Sequence, residues 1–325
     1  MNFLYSLYYL LPNFAKLGIA GKAINVVLLK IMKRIFDFFI PAYLKRTSGR
    51  SGHGINKIPR DTKYIVSLTS FPGRINDVWI SIETILRQTF KPDMVILWLA
   101  EEQFPDRMLP ESLTALQKRG LTIKFCEDLK SHKKYYYTFL EYPDAIIITV
   151  DDDSYYPKNL LQSLVDAHKK YPSCICANRA HKITFSENNT ILPYRKWKHN
   201  YKGITSPHAL LVPTGVGGVL YPPGSLHKTI FDKDVFNEIC FYADDLWLKA
   251  NALMQNTKVV TTPGFNKDLI AVSSTQSEKL VMHNSHGGGN DEQFRKIIKH
   301  FDLELTNTVY EPPFVSETNS ENIVA

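Results

Sequence analysis

Asp151, Asp152 and Asp153 end a run, Ala145 to Val150, in which five of six residues are apolar. Such a run reads as a strand buried on both faces. Clustered carboxylates at the end of a core strand are costly unless a cation compensates them. Asp151 and Asp153 are two apart, so an extended backbone points both to one side. That geometry makes a hard-oxygen site for Mn²⁺ or Mg²⁺, with room for phosphate oxygens. The competing reading is a solvated Asp-rich turn that caps the helix following Pro157.

Other groups could serve the same chemistry. Thr69, Ser70, Phe71, Pro72, Gly73 and Arg74 form a loop after an apolar run. Lys133 and Lys134 are adjacent cations, able to meet phosphate or to start a solvated helix. Asp244 and Asp245 open a helical stretch, as a general base or as acids that favour the helix dipole. The stretch Thr214 to Gly224 carries Gly215, Gly217 and Gly218, which mark close backbone approach to a ligand or a bulged strand.

Positioning these groups takes alternating elements. Strands are expected at 64–69, 94–99, 121–125, 145–150, 173–178 and 258–262. Helices are expected at 77–89, 110–119, 133–141, 158–170 and 241–254. This alternation predicts an α/β fold with a mainly parallel sheet flanked by helices. Ligands in such sheets bind beyond the carboxyl ends of strands, where Ser70 and Asp151 both fall. Residues 181–213 show no period, and a long irregular segment in a compact domain suits a substrate wall.

The net charge is +7 over 325 residues. Residues 1–60 hold ten Lys/Arg against one acid, Asp37, a net of +9, so the rest nets −2. The body therefore lacks the basic signature of a nucleic-acid binder. Cys126, Cys174, Cys176 and Cys240 form no CxxC pair and read as reduced core cysteines, suited to the cytosol. Placed on a helix, Lys22, Lys30, Lys33, Arg34 and Asp37 share a narrow stripe. A wide apolar face, from Ile24 through Phe39, lies opposite. Such a helix can lie on an anionic leaflet or dock on the body; the basic counter-face points to the leaflet. The chain start lacks the charge and cleavage site of a signal peptide. The expected layout is a membrane-associating amphipathic segment at 1–46, a linker at 47–60, a catalytic domain at 61–310 and a flexible tail at 311–325.

Taken together, Thr69 to Arg74, Lys133 to Pro157, Thr214 to Gly224, Ala243 to Lys249 and Gly288 to Asp291 resemble the GT-A class of nucleotide-sugar-dependent glycosyltransferases. The nearest likeness is to the family-2-like enzymes of bacterial capsule, lipopolysaccharide and exopolysaccharide synthesis, over about residues 63–294. The resemblance implies a GT-A, Rossmann-like fold and a Mn²⁺- or Mg²⁺-dependent hexosyl- or N-acetylhexosaminyltransferase using a UDP-sugar. Thr69, Ser70, Phe71 and Arg74 would hold base and ribose, with Arg74 or Lys134 near the diphosphate. Asp151 would face the nucleotide and Asp153 the metal. Asp152, beside the donor, would serve the fold and tolerate change best. Asp245, with Asp244 second, would be the base of an inverting transfer. His286, or else His283, would be a late metal ligand. His181, Trp197, Gly217, Gly218, Asn290 and Asp291 would meet a glycan or lipid-linked acceptor. The implied location is the cytoplasmic face of the cell membrane, reached through residues 1–44. Alternatives are a nucleotidyltransferase acting on sugar phosphates and a non-catalytic carbohydrate-binding assembly subunit.

Overall fold

The computed structural model describes residues 2–12, 14–201, 206–263, 269–276 and 289–306. In chain order the elements are α1 (Asn2–Leu10), α2 (Gly18–Thr47), β1 (Tyr64–Thr69), α3 (Val78–Leu86), β2 (Met94–Ala100) and α4 (Glu111–Thr114). Then come β3 (Leu121–Cys126), α5 (Lys133–Glu141), β4 (Ile146–Thr149), α6 (Leu160–Lys170), β5 (Ile175–Ala177), β6 (Ala180–Lys182) and β7 (Leu211–Pro213). The series ends with β8 (Val219–Tyr221), α7 (Lys233–Ile239), α8 (Asp244–Met254), β9 (Val259–Thr261) and α9 (Gly289–Phe301).

The main sheet has the order β3-β2-β1-β4-β8-β5-β9. It is parallel except at β8, which runs antiparallel to β4 and β5. This is the expected α/β, Rossmann-like architecture. Val66 stands opposite Ile148 and Ser67 opposite Thr149, so β1 and β4 end side by side. That register brings the loop at 70–74 against the three acids. Alternation along the strands divides the core. Val66, Leu68 and Ile148 face a cluster shared with α2, α3 and α6. Ile65 and Ile147 face the other way, where Tyr137 and Phe139 of α5 pack. The segment expected to be irregular contains β6 and β7, which form a two-stranded antiparallel sheet of their own. All four cysteines are free and buried.

The N-terminal segment is part of this core. Met32, Phe36, Ile40 and Leu44 recur every four residues and are buried in the cluster that holds Val66 and Leu160. The Phe36 ring meets Tyr5 and Tyr155 edge-on, with centroids at 5.0 and 5.6 Å. Arg87 donates to Leu44 O at 3.0 Å and to Thr47 Oγ1 at 2.7 Å, placing a cation at the C-terminus of α2 where the dipole favours it. Residues 47–60 are not a free linker: Gly54 N donates to Arg119 O at 2.8 Å and Asn56 N to Pro92 O at 2.7 Å. A Cβ at Gly54 would lie 2.4 Å from Leu86 Cδ2, so only glycine lets the chain lie this close to α3.

Phe36 fills a site with no exposure. Phe36→Ala is therefore expected to cost about 3–5 kcal/mol, read as a lower urea midpoint of the full chain. A loss below about 1 kcal/mol would show that α2 contributes little to the core.

Candidate functional site

The site lies where β1, β4 and the N-terminus of α8 meet. Ser70 and Asp152 stand 82 positions apart, and the β1–β4 register brings the Ser70 hydroxyl to donate to Asp152 Oδ2 at 2.6 Å. Arg74, on a short turn after β1, pairs with Asp152 Oδ1 at 2.6 Å and with Asp153 Oδ2 at 3.1 Å. Its guanidinium also lies 5.5 Å from the Phe71 ring centroid. Thr69 turns aside, its hydroxyl donating to Trp98 O at 2.8 Å, which ties β1 to β2.

Asp151 points to a different partner. The Tyr156 hydroxyl accepts from Asp151 N at 2.9 Å and donates to Asp151 O at 3.0 Å, fixing the turn. Lys134, on the first turn of α5, bridges Asp151 Oδ1 at 2.9 Å and Asp244 Oδ2 at 2.8 Å. The triplet is thus split: Asp151 faces Lys134 and α8, while Asp152 and Asp153 share Arg74. Asp152, expected to be the tolerant member, is the most enclosed of the three. It is 5% exposed and its two oxygens take Ser70 and Arg74.

Asp245 accepts from Gly215 N, at 3.1 Å to Oδ1 and 3.3 Å to Oδ2. A Cβ on Gly215 would lie 2.7 Å from Lys134 Nζ and 2.8 Å from Asp151 Oδ1. Glycine is the residue that lets this backbone reach the ion pair. The sequence signal was present in the Gly-rich stretch, but it pointed equally at Gly217 and Gly218. Those two approach the chain itself. A Cβ on Gly217 would lie 2.6 Å from Arg179 Cβ, and Gly218, at φ +79°, packs on Leu160.

The electrostatics follow from five carboxylates (Asp151, Asp152, Asp153, Asp244, Asp245) set around two cations, Arg74 and Lys134. Burial pushes Asp245 up to about 8, reinforced by neighbouring Asp244. Burial also opposes ionisation of Asp244, but Lys134 outweighs it and holds that carboxyl below its ordinary value. Asp152 is pushed up to about 6 by burial, against the pull of Arg74. Burial works against the charge on Lys134, yet Asp151 and Asp244 keep its pKa well above normal. A paired acid beside an acid of raised pKa is the arrangement in which one carboxylate can take up a proton near neutral pH. Behind them His132, fully buried, lies 2.9 Å from Cys240 O and 2.7 Å from the Tyr135 hydroxyl, and so braces the turn into α8. No motif in the sequence marked His132.

The expected acceptor wall is packed away. His181 is 3% exposed and its Nδ1 accepts from Asn200 N at 3.0 Å. Trp197 is 4% exposed, donates to Leu192 O at 2.8 Å and meets Phe294 edge-on at 5.2 Å. Asp291 accepts from Tyr194 N at 2.6 Å, holding that loop against α9, and Asn290 beside it is buried. His181 and Trp197 are thus buried, and Asp291 is engaged with the Tyr194 backbone. His283 and His286 lie outside the described residues. A cleft of about 400 Å³ opens beside the Arg74 turn, lined by Asp37, Lys45, Asp77, Trp79, Tyr155 and Ser273. Its acids outnumber its single cation, which does not suit phosphate.

No family model and no curated protein matches the sequence. Among solved structures, TarS 1–349 of S. aureus is 12% identical, over 64% of this chain and 59% of that chain, with a TM-score of 0.40. The chain thus spans 59% of the length of that structure. A CMP:2-keto-3-deoxy-manno-octonic acid synthetase complexed with CTP is 12% identical over 62% of this chain and 89% of that one, with a TM-score of 0.38. The mannosyltransferase PcManGT of Pyrobaculum calidifontis, in complex with GDP-Man and Mn²⁺, is 10% identical over 86% and 76%, with a TM-score of 0.43. Likenesses this distant leave the chemistry of the site to its own side chains.

Proposed function

We propose that the protein is a glycosyltransferase that moves a sugar from a nucleotide-sugar donor, a UDP-sugar, to a glycan or lipid-linked acceptor. The observation that carries this reading is Asp245. A carboxyl whose pKa is raised to about 8 is held by Gly215 N–H beside the Asp151–Lys134 pair, at the carboxyl end of the parallel strands. In this role Asp245 takes the proton of an acceptor hydroxyl as that oxygen attacks the anomeric carbon. Attack opposite the leaving diphosphate inverts the centre. Asp244, tied to Lys134, stays ionised and keeps the pKa of its neighbour high.

Even with Asp245 holding its proton, four carboxylates against two cations leave the site with an excess of negative charge that suits a divalent ion. Among the described residues no three ligating groups converge. Mn²⁺ and Mg²⁺ at phosphate sites need only one or two carboxylates, with phosphate oxygens and water completing the shell. Asp153 and Asp151 fit that donor set, and a bound ion would neutralise charge on the departing diphosphate. On this reading Ser70 and Phe71 belong to the nucleotide side of this edge. Arg74 and Lys134 can pass from their carboxylates to diphosphate oxygens as the donor enters. On this reading the enzyme serves bacterial surface polysaccharide synthesis at the cytoplasmic face of the membrane.

Nucleotide sugars with Mn²⁺ or Mg²⁺ test the proposal. A donor at a hundredfold its Kd stabilises the folded chain by about 2.7 kcal/mol, a rise of several degrees in Tm. The same mixture should release nucleoside diphosphate slowly by donor hydrolysis. Asp153→Asn is expected to remove the metal dependence of both signals. No Tm shift with any nucleotide sugar, or release of pyrophosphate from a nucleoside triphosphate instead, would overturn the reading.

A further inference from the structure

The structure divides α2 along its length. Its second half docks on the body through Met32, Phe36, Ile40 and Leu44. Between residues 18 and 31 only Gly21 is buried. Ile19 is 88% exposed, Val27 56%, Ile31 49% and Phe38 74%, and on α1 Phe3 is 77% and Leu10 79% exposed. Each apolar Å² left in water forgoes about 25 cal/mol, and contiguous exposed apolar surface marks an interaction site.

The charge on the same stretch narrows the occupant. Lys22, Lys30 and Arg34 are exposed. Residues 1–36 contain no Asp or Glu. The first acid, Asp37, is turned inward, accepting from the Tyr155 hydroxyl at 2.8 Å and from Ser273 N at 3.1 Å. A second copy pairing through this patch would set cations against cations. A bilayer with anionic headgroups satisfies both the apolar side chains and the cations. No helix among the described residues is long and apolar enough to cross a membrane.

We infer that α1 and the outward-facing side of α2 form an interfacial surface for an anionic lipid bilayer. The sequence assigned the whole apolar face of α2 to this role; the structure gives Met32 and Phe36 to the body and leaves Val27, Ile31 and Phe38 to the lipid. The surface is joined through α2 to the acid-lined sheet edge. From Ile31 to Asp37 the helix rises about 9 Å, and Asp37 holds Tyr155, two residues beyond Asp153. The inference gives the membrane location in the reading above its contact surface, while its test needs no sugar nucleotide.

The full chain is sedimented with vesicles of phosphatidylcholine alone or mixed with phosphatidylglycerol. Binding to the anionic vesicles is expected at least tenfold tighter than to neutral ones, weakening as salt screens the cations. Val27→Glu with Ile31→Glu should lower it tenfold or more with Tm unchanged, because both side chains already face water. Lys30→Gln with Arg34→Gln should erase the preference for anionic lipid. Three outcomes would each overturn the inference. They are no binding to anionic vesicles, equal binding by the Val27→Glu, Ile31→Glu variant, and a solution dimer that this variant dissolves.

Discussion

Asn in place of Asp245 is expected to lower donor turnover by about two to four orders of magnitude, the range a positioned general base contributes. Donor affinity should change little, since asparagine can still accept from Gly215 N–H. The pH dependence follows from the raised pKa. Asp245 works only when ionised, so kcat/KM of the parent should climb with pH through about 8. Stability should move the other way. An unfolded aspartate titrates near pH ~3.9, and the folded carboxyl near about 8. The folded state therefore binds the extra proton between those values, and the penalty of ionising Asp245 grows as pH rises through that window. The asparagine variant, freed of that penalty, should melt higher than the parent at pH ~8.5 and nearly level with it at pH ~4. Paired pH–rate and pH–Tm curves check both. Unchanged turnover, or a variant that melts lower at the alkaline end, would remove Asp245 from the role.

Lys134→Met should be the most destabilising change at the site, by about 3–5 kcal/mol near neutral pH, because it strands carboxylates that have lost the cation they share. Lys134 is 6% exposed at its side chain and lies within 3 Å of both Asp151 and Asp244. Methionine keeps most of the volume, so the loss reports charge and not a cavity. The sign with pH is definite for Asp244. Lys134 holds its pKa below the ordinary value, so the pair stabilises above the unfolded pKa and that contribution fades as pH falls. The gap between parent and variant in urea denaturation should therefore persist down to pH ~4 and close only below it, as pH falls from the unfolded aspartate value through the lowered folded one. Adding Asp244→Asn to Lys134→Met should recover part of the loss, which a double-mutant cycle measures. A gap below about 1 kcal/mol, or one that widens in acid, would show that Lys134 does not compensate these acids.

Much of the framework was legible. The helix expected at 133–141 is α5 to the residue, and the strands expected at 64–69 and 94–99 are β1 and, with one residue more, β2. These elements are set by hydrophobic period and turn residues close to each other in the chain. The acids at 151–153 and 244–245 stood out because charge at the end of an apolar run is visible locally. The short strands β6 and β7 were not legible, since three-residue strands carry no period and exist only through each other.

The sequence alone determined the alternation of strands and helices, the split between a basic N-terminal segment and a slightly acidic body, and the carboxylates that cluster at strand and helix ends. The tertiary structure decided their partners. It gave Lys134 to Asp151 and Asp244, Arg74 to Asp152 and Asp153, and Gly215 N–H to Asp245. It also put Trp197 and His181 inside, and turned one stripe of α2 onto the body and another outward. The physical reason is common to all of these. An apolar stripe or a carboxylate states what kind of neighbour it needs, and only the packing of segments far apart in sequence supplies a particular one.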